Sequence, residues 1–348
     1  MPNRSFVIAA FAASAAFMAA LAPAWGQQDD ALFRNKQITI LIGAGPAGGY
    51  DLSARILARH YGRYLPGNPS VVPKNLPGAG GLRLANQIYN VSPKDGTEIG
   101  LFATSTALEP LFGNKAAQYD TAKFTWLGNM DTNSAVGCGT WKHSGIKTWP
   151  DMKNRETTFG SAGPSAVSSI YPRMLAALLG LNTKVILGYT STHNVIAAME
   201  RGELDGSCAL NLKQIYLEFA DRIEQGEMTI WINFGRERTQ ELPNTPTIFE
   251  LLNNDDDLQL AQLIFGQNKV NRPFSAPPGI GERRTAALRA GFMATMADEQ
   301  FLADAAKANV SVNPMSGEDT LTEYLSFYNA PKAVIERAIA IIGRTPEP

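Results

Sequence analysis

The residues with the means to catalyse or to ligate are few, and they stand apart from one another. Three histidines (His60, His143, His193) and two cysteines (Cys138, Cys208) are scattered singly along the chain. No pair of them has the spacing of a zinc or haem site, so no metal centre is expected. Gly160-Ser161-Ala162-Gly163 lacks the G-x-S-x-G order that exposes a nucleophilic serine on a sharp turn. Nothing in the sequence brings His193 to Ser161 or Ser165, and no cluster of carboxylates presents an acid/base pair. Enzymatic turnover therefore has little support; neither catalytic residues nor a cofactor are expected.

Glycine loops offer a different chemistry. Gly43-Ala44-Gly45-Pro46-Ala47-Gly48 satisfies the G-x-G-x-x-G pattern of dinucleotide sites. Such a site also needs an acidic residue about 20 positions on, to hold the ribose hydroxyls. No Asp or Glu occurs from Leu52 to Lys94, which argues against a nucleotide. What the loop does supply is bare backbone N–H groups at a helix start, where aligned peptide dipoles favour an anion. Gly160-Ser161-Ala162-Gly163-Pro164-Ser165 repeats the arrangement later in the chain. Two such mouths facing across a cleft would suit a small mono- or dicarboxylate, held by neutral donors and bridging water, since neither loop contains Arg or Lys. Asn75-Leu76-Pro77-Gly78-Ala79-Gly80-Gly81 is a third loop, fit either to line the rim or to let helix and strand pack closely. Arg55, Arg59 and Arg63 follow Asp51 at four-residue spacing, which reads as a solvated helix face with a local Asp51–Arg55 pair.

Short apolar strands alternating with amphipathic helices must position these loops. Ile38–Ile42, with its β-branched residues, precedes the first loop, and Leu52, Ile56, Leu57 and Tyr61 recur behind it at helical spacing. Segments 70–73, 98–103, 157–159, 184–187 and 204–210 read as further strands, with helices over 82–91, 165–180 and 192–201. This alternation predicts an α/β fold of two lobes, each a mixed, mainly parallel sheet flanked by helices, with sites at the carboxyl ends of the strands. The expected division is a signal peptide over 1–26, a first lobe over 27–131, a second over 132–234, and completion of the first over 235–348. Chain crossings near 131–134 and 233–236 would be hinges, and one long helix is expected over 317–342.

A length of 348 residues suits two such lobes, and a formal net charge of −1 gives no basic excess for nucleic acid. Arg4 is the only charge before Asp29, an apolar run extends from Phe6 to Leu21, and Pro23 and Ala24-Trp25-Gly26 follow. That layout predicts a cleaved secretory signal, cut between Gly26 and Gln27, and a periplasmic mature protein. In an oxidising compartment, two cysteines on second-lobe strands are expected to pair as a Cys138–Cys208 disulfide, the alternative being two small buried thiols.

Five motifs in order resemble the receptors of tripartite tricarboxylate transporters, the Bug receptors, through nearly all of the mature chain. They are Gly45 to Asp51 with Arg55, Asn75 to Gly81, Pro93-Lys94-Asp95-Gly96-Thr97, Gly188-Tyr189 followed by Ala197 to Asp205, and Pro246-Thr247-Ile248-Phe249-Glu250. The resemblance implies a Venus-flytrap fold with the ligand between the lobes. It places ligand contacts on Ala47, Gly48, Gly49, Asp51, Thr104 and Ser105 of the first lobe. On the second they fall on Ser161, Gly163, Ser165, Ala166, Tyr189 and Thr190. It also implies a monomer that delivers a small carboxylate to a two-subunit membrane transporter. An orphan receptor reporting to a sensor protein needs the same cleft, and a periplasmic enzyme is the remaining alternative.

Overall fold

A computed structural model describes residues 32–132, 135–240 and 242–343; the expected signal segment lies outside them. The first sheet begins with β1 (Gln37–Ile42), β2 (Ser70–Asn75) and β3 (Glu98–Leu101). These pair in parallel with β1 in the middle, so its Ile38, Ile40 and Ile42 are fully buried. Helices α1 (Gly49–Tyr61) and α2 (Leu82–Asn90) make the crossovers. Antiparallel strands β4 (Thr125–Asn129), β10 (Pro273–Ala276) and β11 (Met315–Ser316) complete the order β11-β4-β10-β3-β1-β2.

The second sheet has the order β7-β6-β8-β5-β9. Its parallel part is β6 (Thr157–Ser161), β7 (Thr183–Leu187) and β8 (Gly206–Asn211), linked by α3 (Val167–Leu179) and α4 (Thr192–Glu200). β5 (Val136–Trp141) and β9 (Met228–Asn233) add antiparallel pairs, with α5 (Leu212–Glu224) between β8 and β9. Both sheets are mixed, the first with two parallel and three antiparallel pairings and the second with two of each, so neither is mainly parallel in its pairing: the parallel triplets carry the loops, and the antiparallel strands carry the chain between lobes.

The rest of the chain is α6 (Ile248–Leu251), α7 (Asp255–Phe265), α8 (Glu282–Met296), α9 (Glu299–Lys307), α10 (Gly317–Tyr328) and α11 (Lys332–Ile342). The single helix expected over 317–342 is two, because Pro331 has no N–H to continue the first and instead caps the second. The Pro-rich stretch at 273 is β10, in the middle of the first sheet. Pro273 is tolerated as its first residue, where its carbonyl accepts from the Phe102 N–H at 3.0 Å.

Segment 235–348 does not only complete the first lobe. Strands β10 and β11 and helices α8 to α10 do so, but α11 packs on both α7 and the second-lobe helix α3. Phe265 of α7 stacks on Phe234 at 4.3 Å, and Tyr171 of α3 meets both rings edge-on. Residues 266–272 and 329–331 are therefore further crossings between the lobes. No helix among the described residues is long and apolar enough to cross a membrane.

Candidate functional site

Where the carboxyl ends of the two parallel triplets face each other lies a cavity of about 290 Å³, partly open to solvent. Four helix N-termini reach its wall, and they differ. α4 is capped by Ser191, whose side chain accepts from the Asn194 N–H at 3.3 Å, and α5 by Asn211, which accepts from Gln214 N–H at 3.0 Å. α1 and α3 start at Gly48 and Ala166, neither of which provides a side-chain cap. The first N–H groups of these two helices directly follow the two glycine loops; on α3 the Ser169 N–H is taken by the Ala166 carbonyl at 2.8 Å, and the lack of a capping side-chain oxygen leaves those of Val167 and Ser168 available to an anion, as it does those that follow Gly48 on α1.

The first loop is held from behind by a charged cluster. Asp51, 4% exposed, accepts from the Ala47 N–H (3.0 Å), Arg55 (2.9 Å) and Asn75 (2.9 Å). Burial alone would raise its pKa, but the hydrogen bonds from Arg55, Asn75 and Ala47 outweigh that and hold it below the usual aspartate range. Ala47 sits at φ 64°, a conformation a non-glycine residue adopts at a cost, and the bond to Asp51 fixes it there. Asn75 also donates to the Ala44 carbonyl at 3.0 Å, which ties the third glycine loop to the first. Pro77, Gly78 and Gly80 of that loop line the cavity, so its role is at the rim.

The second loop is held by neutral groups. The Ser161 hydroxyl lies 2.9 Å from that of Ser168 and donates to the Gly163 carbonyl at 3.2 Å. Cys138 and Cys208, opposite each other on β5 and β8, are joined as a disulfide with Cα atoms 4.1 Å apart, and Cys208 forms part of the cavity floor.

The lobes touch. Gly45 N–H donates to the Thr190 carbonyl (3.0 Å), Ser105 to the Ser165 carbonyl (2.8 Å) and Asn114 to the Ser165 hydroxyl (3.2 Å). A Cβ on Gly163 would stand 2.8 Å from the Gly80 nitrogen, and one on Gly80 only 2.5 Å from that of Ala166. Only glycine permits this approach of backbone to backbone, and the state described is closed.

No family model matches the chain. The UPF0065 protein in the TAR-I ttuE-ttuC' intergenic region of Agrobacterium vitis is 26% identical over 288 residues, covering 80% of this chain and 77% of the relative. Among solved structures, the periplasmic binding protein BugD aligns with a TM-score of 0.63 and 19% identity, over 86% of this chain and 97% of that one. The R. palustris protein Rpa4515, solved with adipate, aligns at 0.67 and 16%, over 89% and 98%. The fold is that of the periplasmic solute-binding proteins. It resembles the Bug-type receptors in structure as its motifs do in sequence.

Within this solute-binding fold, Gly48, Gly49, Thr104, Ala166, Tyr189 and Thr190 line the cavity. Ala47, Asp51, Ser105, Ser161, Gly163 and Ser165 stand behind it: the first two and Ser161 shape the loops, and the others make the contact between lobes. The Arg59 and Arg63 face is not merely solvated, since both side chains bond to the α9 region at Asp304 and Asp298.

Sequence reasoning missed Arg272, Asn268 and Asn271 of the crossing segment, and His193, Asn211 and Gln214 of the second lobe, all in the cavity wall. Ser191 and Asn211 could have been found as polar residues one step before apolar helical runs. Arg272 has no such mark, because only the fold brings it beside Gly49. His193 Nε2 lies 3.1 Å from Glu218, whose hydrogen bond raises the imidazole pKa. Glu218 in turn accepts from Gln214 at 2.8 Å. No group of residues fit to hold a metal ion occurs among those described.

Proposed function

We propose that the protein is an extracytoplasmic receptor that captures a small carboxylate between its lobes and delivers it to a two-subunit membrane transporter of the tripartite tricarboxylate type. The observation that carries this reading is the pair of helix N-termini without a side-chain cap, at Gly48 and Ala166, in the wall of one interlobe cavity. Backbone donors of this kind bind an oxyanion strongly because the bonds are charge-assisted and the donors are already in place. The likeness to a protein solved with adipate supports a carboxylate of that size. The reading includes export: Gly26–Gln27 is the proposed processing site, which amino-terminal sequencing of periplasmic protein tests directly. A monomer suffices, because one chain supplies both walls of the cavity.

Native mass spectrometry of gently isolated protein should reveal a bound organic acid, released unchanged on unfolding. A thermal-shift screen should find acids that raise the melting temperature. At a hundred times the dissociation constant the added stability is about 2.7 kcal/mol. The corresponding amides should have no effect. An acid-blind protein, or one that converts the acid, contradicts the proposal.

A further inference from the structure

We infer that Arg272 is the residue that reads the ligand's charge, through a direct contact between its guanidinium and one carboxylate. This inference rests on the receptor function proposed above and adds a charged anchor to the neutral donors of the loops. Arg272 is 8% exposed and lies on the segment that crosses between the lobes. Its backbone is fixed to the first sheet: its N–H donates to Asn129 at 2.7 Å, and its carbonyl accepts from the Met130 N–H at 3.1 Å. The guanidinium sits 4.6 Å from the centroid of the Tyr50 ring, whose hydroxyl is held 2.9 Å from that of Thr104. Nε donates to Ser53 (3.2 Å) and Nη1 to the Asn271 carbonyl (3.1 Å).

Those bonds leave one corner unused. Nη2 makes no hydrogen bond among the described residues, and no carboxylate there lies within ion-pair distance of Arg272. A Cβ placed on Gly49 would come 2.9 Å from Nη2 and 3.0 Å from Gln214 Oε1, so the missing side chain keeps that corner open. A buried cation without a counter-ion is costly, and a ligand carboxylate offsets that cost. The anchor also adjoins the uncapped start of α1 at Gly48, so guanidinium and backbone donors can share one carboxylate. Among the described residues no lysine or second arginine lines the cavity, and His193 is already paired with Glu218. The ligand therefore carries an obligatory carboxylate at the first-lobe end, while its other end meets the neutral second-lobe wall.

Isothermal titration of hexanoate, adipate and hexanamide into the mature protein tests this, alongside Arg272→Met and Arg272→Lys. At least one acid should bind the native protein and hexanamide should not. Arg272→Met should weaken that acid at least about 100-fold, and Arg272→Lys less, because a point charge replaces a fork of donors. Guanidinium ion added to Arg272→Ala should restore part of the affinity. Circular dichroism of each variant separates loss of binding from loss of fold, and rescue by guanidinium is itself proof of a folded site. An unchanged affinity in Arg272→Met, or strong binding of hexanamide, overturns the anchor while leaving the receptor function standing. Acids that all fail to bind the native protein overturn the receptor reading instead.

Discussion

The two mouths of the cavity use the same backbone device and support it by opposite means. The first-lobe loop is fixed by charge: Asp51 gathers Ala47, Arg55 and Asn75, and Arg272 lies over Tyr50 alongside. The second-lobe loop is fixed by hydroxyls, Ser161 and Ser168, above a covalent link in the sheet. The helix ends make the same point within one lobe. α4 and α5 each satisfy an early N–H group with the side chain of Ser191 or Asn211, whereas α3 begins at Ala166, which has no side-chain oxygen to offer. A capped end is finished structure. An uncapped one is, in the proposed function, where the ligand's carboxylate docks.

The largest expected effect separates the lobes by their covalent link. The Cys138–Cys208 bridge spans 70 positions, and closing a loop of that length adds up to about 4 kcal/mol in the chain-entropy model. Replacing both cysteines by serine should lower unfolding stability by up to that amount, measured by denaturant titration. Equal stability with and without the bridge would remove this difference between the lobes.

Closure comes next. In Gly163→Val the new side chain meets the backbone at Gly80 of the other lobe, not its own. Affinity for the selected acid should fall about 100-fold, or about 2.7 kcal/mol, while the melting temperature of ligand-free protein stays put. Unchanged affinity would mean that closing does not need this contact.

A smaller change tests the bare helix end. Ala166 has extended backbone suited to a capping side chain. Ala166→Asp should stabilise α3 by about 1 kcal/mol and at the same time weaken acid binding, because the new carboxylate takes the N–H groups and repels the ligand. Ser191→Ala, at a finished end, should cost about 1 kcal/mol of stability with little effect on affinity. If both substitutions act alike on binding, the distinction between the ends is lost.

The smallest effect is the pH dependence of the charged mouth. Asp51 has its pKa depressed in the folded chain, so its contribution is full above the ordinary aspartate value and fades as pH falls through the folded one. Thermal melts of ligand-free protein should lose this increment on acidification, and Asp51→Asn should lack that part of the acid limb. His193 runs the other way: its raised pKa gives a contribution present below the ordinary histidine value and lost as pH rises through the folded one. His193→Gln should flatten that limb.

The elements and the two loops were legible because strand and helix periodicity are local, and so are glycine patterns. Gly48, Gly49 and Ala166 lie where helix starts following such loops had to place them. Less legible was anything set by the crossings. Pro273 reads locally as a break yet begins a central strand, because the N–H it lacks is the one ladder donor it forgoes at that first position. Phe265 gives no local sign that α7 rests on Tyr171 of the second lobe. Arg272 follows Gly49 by more than two hundred positions, and only the folded chain shows that they meet. Asp51 and Ser161, expected as ligand contacts, stand behind the cavity wall and hydrogen-bond within the loops that form it.

The most direct measurement is small-angle X-ray scattering of protein freed of ligand by unfolding and refolding, then titrated with the acid selected by thermal shift. The radius of gyration should fall as the acid saturates the site, with the same midpoint as calorimetry, and should not move with the matching amide. Saturation by the acid with no change in the radius of gyration would contradict a site formed by two mouths closing on one carboxylate.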